Sequence, residues 1–139
     1  MNSESNRAGS SESEDQRIRE RVVALAAHVR EAVRTLPEVS ESFDGFGHIA
    51  FKVGKKSFVL VGSGTEGQGS LFIKADPDSQ QILVARGPYI RAPYLGQHGW
   101  VCVWGDVDVD WEEARELVRD AYRLVAPKRL LRELDARDS

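Results

Sequence analysis

His48-Ile49-Ala50-Phe51-Lys52-Val53-Gly54-Lys55-Lys56-Ser57-Phe58-Val59-Leu60-Val61 is where the chain changes its period. Before it, apolar residues recur every three or four positions; within it they alternate. Alternation puts Ile49, Phe51 and Val53 on one face of a strand and Lys52 on the other. Gly54-Lys55-Lys56 makes a short turn. Ser57 to Val61 returns as a second strand, apolar enough to be central. The stretch predicts a β-hairpin with lysines at its tip.

Upstream, residues 1–14 are mostly Ser, Glu and Asn and cannot bury enough apolar area to offset ordering. They are expected to form a disordered acidic tail, leaving a single domain over 15–136. Ile18, Val22, Leu25, Ala26, Val29, Val33 and Leu36 make one apolar stripe, which predicts a helix from about Asp15 to Thr35. Pro37 stops it, because the residue before a proline avoids helical geometry. His28 falls between stripe positions and reads as a partly buried or surface histidine rather than a ligand. Glu38 to Gly47 reads as a linker anchored by Phe43 and Phe46.

Downstream, Gly62, Gly64 and Gly67 form a formal G-x-G-x-x-G after a strand. A dinucleotide site needs a helix N-terminus directly after those glycines. Ser70-Leu71-Phe72-Ile73-Lys74 follows instead and reads as a third strand, so the glycines are a connection. Asp76 caps a helix from Pro77 to Arg86, with Ile82, Leu83 and Ala85 as its apolar contacts, and Gly87 ends it. Gly87 to Tyr94 is a short strand or extended segment with proline at both ends, unsuited to a sheet centre. Pro93 to Gly99 is a polar, glycine-punctuated loop entering a strand. There Trp100, Cys102 and Trp104 share one face, and Val101 and Val103 share the other. Asp110 caps a helix with its stripe at Trp111, Ala114, Leu117, Val118, Ala121, Tyr122 and Val125. A last short helix runs from Pro127 to Leu134, and residues 135–139 should fray. Hairpins without βαβ alternation give an α+β fold: an antiparallel sheet with helices packed on one face.

Composition excludes several classes. There is no apolar run long enough to span a membrane and no signal-peptide pattern at the start. One cysteine among 139 residues precludes an internal disulfide and fits a cytoplasmic protein. The net charge of -3 is unevenly spread. Residues 45–105 hold Lys52, Lys55, Lys56, Lys74, Arg86 and Arg91 against Glu66, Asp76 and Asp78, whereas both ends are acidic. Such asymmetry is read in two ways, as a local anion-binding surface or as a small chance excess on a solvated sheet face.

Catalytic chemistry finds no footing. Cys102 and His98 lie four residues apart, about 13 Å on an extended strand, and Cys102 between two valines reads as a small buried hydrophobe. His28, His48 and His98 are isolated, with no metal-ligand spacing. The acidic run Asp106, Asp108, Asp110, Glu112 and Glu113 reads as a solvated turn and helix start. No enzyme activity, cofactor or metal is expected.

Phe51-Lys52-Val53-Gly54-Lys55-Lys56-Ser57-Phe58, Lys74-Ala75-Asp76-Pro77, Pro93-Tyr94-Leu95 with His98-Gly99-Trp100, and Ala121-Tyr122-Arg123-Leu124-Val125 with Lys128 occur in one order. On these pieces the chain, over about residues 17–134, resembles the MmcQ/YjbR family of small bacterial proteins. The resemblance implies a CyaY-like (frataxin-like) α+β fold and DNA binding through a double wing of β-hairpins. The candidate wings are then Gly54 to Lys56 and the loop around Gln97-His98. That loop reads Gly96-Gln97-His98-Gly99-Trp100, where the family commonly carries lysines.

The expected function is therefore non-enzymatic DNA binding by a monomer. Lys52, Lys55, Lys56, Lys74, Arg91 and His98 would contact phosphates, with Tyr89, Tyr94 and Trp100 able to stack on bases. The alternative is a protein- or small-ligand-binding adaptor that uses the sheet edge or the Pro93–Trp100 loop.

Overall fold

In the computed structural model, which describes residues 2–43, 48–62, 69–104 and 108–138, the alternating stretch becomes the hairpin β2 (Ile49–Val53) and β3 (Lys56–Gly62). Gly54 turns it with φ 60°, a conformation that suits a residue without Cβ. The hairpin belongs to a six-stranded sheet completed by β1 (Val39–Phe43), β4 (Ser70–Ile73), β5 (Ile90–Arg91) and β6 (Val101–Trp104). The spatial order is β1-β2-β3-β4-β6-β5, and every neighbouring pair is antiparallel. Four helices accompany it: α1 (Asn2–Val33), α2 (Pro77–Arg86), α3 (Trp111–Val125) and α4 (Lys128–Asp138). The fold is α+β, as the mixture of periods implies.

The pleat sorts side chains onto two faces. Phe51 pairs with Val59, Val59 with Ile73, and Ile73 with Val101, so one row of buried apolar residues crosses four strands. A bulge opposite Phe51 and Lys52 adds Phe58 to the same side, so Phe58 and Val59 are both fully buried although adjacent. The helices cover this face. α1 contributes Val22, Leu25, Ala26, Val29 and Val33; α2 contributes Leu83; α3 contributes Val118, Ala121, Tyr122 and Val125; α4 contributes Leu130 and Leu134. The stripes of α1 and α3 follow the expected spacing. His28 is exposed, with its ring stacked on Trp111 at 4.1 Å, which ties α1 to the start of α3.

Four expectations change. Glu38 to Gly47 contains an edge strand, β1, rather than a linker alone. Its Ser40, Glu41 and Ser42 carry no apolar alternation, because an edge strand with polar faces needs none. Phe46 lies outside the described residues. Helix α1 begins at Asn2 rather than near Asp15. On α2, Ile82 is 66% exposed and Ala85 is exposed, while Gln80 and Leu83 face inward. Helix α4 continues to Asp138 instead of fraying after Leu134, held by Arg137, which donates to the carbonyl of Thr35 and to Glu133.

The turn between α1 and β1 is clamped from the helix layer. The buried hydroxyl of Tyr122 donates to the carbonyl of Pro37 at 2.7 Å, and its ring meets Phe58 edge-on. Arg129 adds a two-pronged pair to Glu38, a residue held at φ 60°. Replacing Tyr122→Phe leaves the Pro37 carbonyl without this donor. The expected loss is about 1–2 kcal/mol of unfolding free energy at unchanged fold, read from the urea midpoint; an unchanged midpoint would mean that the clamp contributes nothing.

Candidate functional site

Strand register carries four of the six candidate residues, Lys55, Lys56, Lys74 and Arg91, to one end of the sheet, and His98 lies on the loop that enters β6 there. Lys55 and Lys56 sit at the β2–β3 turn, where Val53 faces Lys56. The backbone N–H of Lys74 donates to the carbonyl of Phe58 beside that turn. Ile73 pairs with Val101, which places Trp100 next to Lys74, and Arg91 also pairs with Val101. The span from β3 to β5 is three interstrand steps, about 14 Å. Lys52 stands apart from this line, half-buried on the sheet face away from the helices and opposite Ser57 and Ser40. Lys55, Lys56, Arg91 and His98 are exposed.

The electrostatic setting of these cations differs from that of many helix arginines. Arg30, Arg34, Arg86, Arg123, Arg129 and Arg137 each lie within 3.3 Å of a carboxylate oxygen. Bonding to Glu113 raises the Arg86 guanidinium pKa, and bonding to Arg129 lowers that of the Glu38 carboxyl. Among the described residues, Lys52, Lys55, Lys56, Lys74, Arg91 and His98 have no carboxylate partner. The Lys74 ammonium instead lies 5.8 Å from the centre of the Trp100 ring, within cation–π range.

The loop entering β6 is built to a fixed shape. Residues Leu95–His98 form one 3-10 turn. Gln80 of α2 is buried and donates to the carbonyls of Gly96 and Trp100 at 2.8 and 3.0 Å. Gly99 sits at φ 95°, and a Cβ there would collide with the carbonyl oxygen of Ala75. The glycine before the tryptophan is thus a packing requirement. Tyr94 is the centre of a γ-turn with φ 62° and ψ -56°, closed by Leu95 N–H to the Pro93 carbonyl at 2.6 Å. Such a conformation in a non-glycine residue carries strain of about 1–3 kcal/mol, and it holds the Tyr94 side chain 91% exposed.

Of the three aromatics expected to stack on bases, only Tyr94 is available. Tyr89 and Trp100 are 3% and 5% exposed and belong to the packing. Trp100 and Cys102 join Ala92, with Leu60, Phe72 and Leu95 against them, in a small cluster on the uncovered face. Burial pushes the Cys102 thiol up to about 11, which suits a hydrophobe rather than a nucleophile. His98 is on the exposed loop while Cys102 is fully buried, so the two do not form a catalytic pair. The Asp110 carboxylate accepts from Glu112 and Glu113 N–H as a helix cap; Asp106 of the acidic run lies outside the described residues. No cluster of three or more metal-ligating side chains occurs among the described residues, and no described helix is long and apolar enough to cross a membrane.

Beside the cluster lies a groove of about 630 Å³, bounded by the sheet and by Pro93, Tyr94 and Leu95. Lys52 reaches it from β2, and His48, Leu60 and Phe72 also line it. Sequence reasoning passed over Gln80, although its i, i+3 spacing from Leu83 marks it as inward-facing. It also passed over the groove, because Ala50, Leu60 and Phe72 sit on three different strands and meet only through register.

The YjbR family model matches residues 34–124, and the chain belongs to that family. The chain is similar to the Deinococcus radiodurans protein DR2400, a protein with a DUF419 domain. The two are 27% identical, with a TM-score of 0.63 over 77% of this chain and 85% of that one. No curated protein matches the chain.

The loop's dependence on α2 is directly testable. Gln80→Leu removes both bonds to the Gly96 and Trp100 carbonyls at similar volume. It should lower stability by about 1–2 kcal/mol and speed amide exchange at Gly96 to Trp100 relative to β3. Unaltered exchange there would show that Gln80 does not hold the loop.

Proposed function

We propose that this YjbR-family chain is a non-enzymatic, DNA-binding protein that contacts phosphates along the lysine-tipped end of its sheet. The observation that carries this reading is the set of cations without carboxylate partners among the described residues, at the Gly54–Lys56 turn, Lys74 and Arg91, with His98 on the adjoining loop. An ammonium already paired with a carboxylate must give up that partner to meet a phosphate; these need not. Phosphate contacts fix position without reading bases, and buried Trp100 and Tyr89 leave only Tyr94 for stacking. The reading is accordingly one of weak sequence preference. In this reading the chain acts as a monomer in the cytoplasm, a setting with which its single, buried cysteine accords.

Charge sets the measurable scale. Four engaged cations, Lys55, Lys56, Lys74 and Arg91, give a slope of about -3.6 for log K against log salt on duplex DNA. Lys55→Gln/Lys56→Gln, both exposed, should cut that slope by about two and weaken binding roughly tenfold at low salt, uniformly across duplex sequences. Fluorescence anisotropy with a labelled duplex reads both quantities. Absence of binding at tens of micromolar protein in low salt would overturn the proposal.

A further inference from the structure

The sheet face that the helices leave uncovered holds the groove, and its chemistry differs from that of the basic end. Its floor is one cross-strand row, Ala50 beside Leu60 beside Phe72, and Leu95 and Pro93 wall it. Its volume of about 630 Å³ lies within the range of small-molecule sites. No carboxylate is among the described residues that line it. The Lys52 ammonium enters half-buried, without a carboxylate partner among the described residues, and Ser57 lies directly across from it.

An apolar floor calls for an apolar body, and a single half-buried cation calls for a single anionic group. A polyanion would meet one charge and a surface that repels its hydration, so nucleic acid is a poor occupant here. A neutral hydrophobe would leave the Lys52 ammonium half-desolvated with nothing to offset it. The geometry points to a binding site for a small amphipathic carboxylate: its apolar body lies on Leu60 and Phe72, and its carboxylate accepts hydrogen bonds from Lys52 and the Ser57 hydroxyl. Tyr94 stands at the lip, held outward by its γ-turn, where its ring meets the apolar body on entry. Strained backbone of this kind is found at ligand clamps. The site gives a place and a chemistry to a small-ligand role, and it does not depend on the phosphate reading.

Isothermal titration of the full chain with sodium decanoate, decanol and sodium acetate tests it. Decanoate should bind at submillimolar concentration, decanol at least tenfold more weakly, and acetate not measurably. Lys52→Met should abolish the preference for decanoate over decanol. Tyr94→Ala, which alters an exposed side chain and keeps the fold intact by circular dichroism, should weaken both ligands severalfold. Lys55→Gln/Lys56→Gln should leave decanoate binding unchanged. Equal binding of decanoate and decanol, no decanoate binding at millimolar concentration, or a preference that survives Lys52→Met would each overturn the site. A chain that binds duplex DNA but not decanoate would lose this site and keep the phosphate reading; the reverse result would keep the site alone.

Discussion

Two-residue alternation in β2 and β3 governs the molecule, because it decides which side of the sheet each neighbouring strand must match. Once Phe51 and Val59 face the helices, register carries Ile73 and Val101 to the same side. A slip of one residue would exchange the two faces, placing Ala50, Leu60, Phe72 and Cys102 under α1 and α3 and turning the large core side chains outward. The bulge at Phe58 strengthens the arrangement, since it sends two consecutive large side chains into the core where α3 packs. Tyr122 completes this contact, meeting Phe58 with its ring edge and Pro37 with its hydroxyl. Helix, sheet and the turn into β1 are thereby fixed by one side chain.

Covering one face has a consequence for the other. Helices α1 and α3 consume the apolar row of the core side, and among the described residues the short Ala92–Trp100 loop folds back over the remaining face. That loop cannot span six strands. It shelters Trp100 and Cys102 and leaves the groove beside Leu60 and Phe72. The same register gathers cations at the end of the sheet where the β2–β3 turn, Lys74 and the β5 edge meet. Acidic residues are not absent from the fold: Glu31, Glu38, Glu41, Glu113, Glu133 and Asp135 are each paired with an arginine.

Much of this was legible in the sequence where a single element carried the signal. The hairpin, α2 with its Asp76 cap and bounds Pro77–Arg86, and the stripe of α3 all follow from local chemistry. The two-faced split of residues 100–104 was equally plain, because Val101 and Val103 alternate with Trp100 and Cys102. What escaped has no local mark. β1 is a strand because β2 offers it partners, and Val39-Ser40-Glu41-Ser42-Phe43 alone does not ask for one. Gln80 is buried because two carbonyls sixteen and twenty residues away need a donor. The exposed face of α2 at Ile82 similarly reflects which side the sheet lies on, which propensity does not encode. For the site, residue types pointed to the cations, while their lack of carboxylate partners and the groove between strands are properties of the assembled sheet.

Our proposal is that the sheet end, rather than the helix layer, meets nucleic acid. Heteronuclear correlation spectra of the isotope-labelled chain, titrated with a short duplex at low salt, test it residue by residue. The account requires the largest amide shifts at Gly54 to Ser57, Lys74 and Arg91 to Gly99, with α4 unmoved. Shifts confined to α3 and α4, or spectra that do not change, would contradict it.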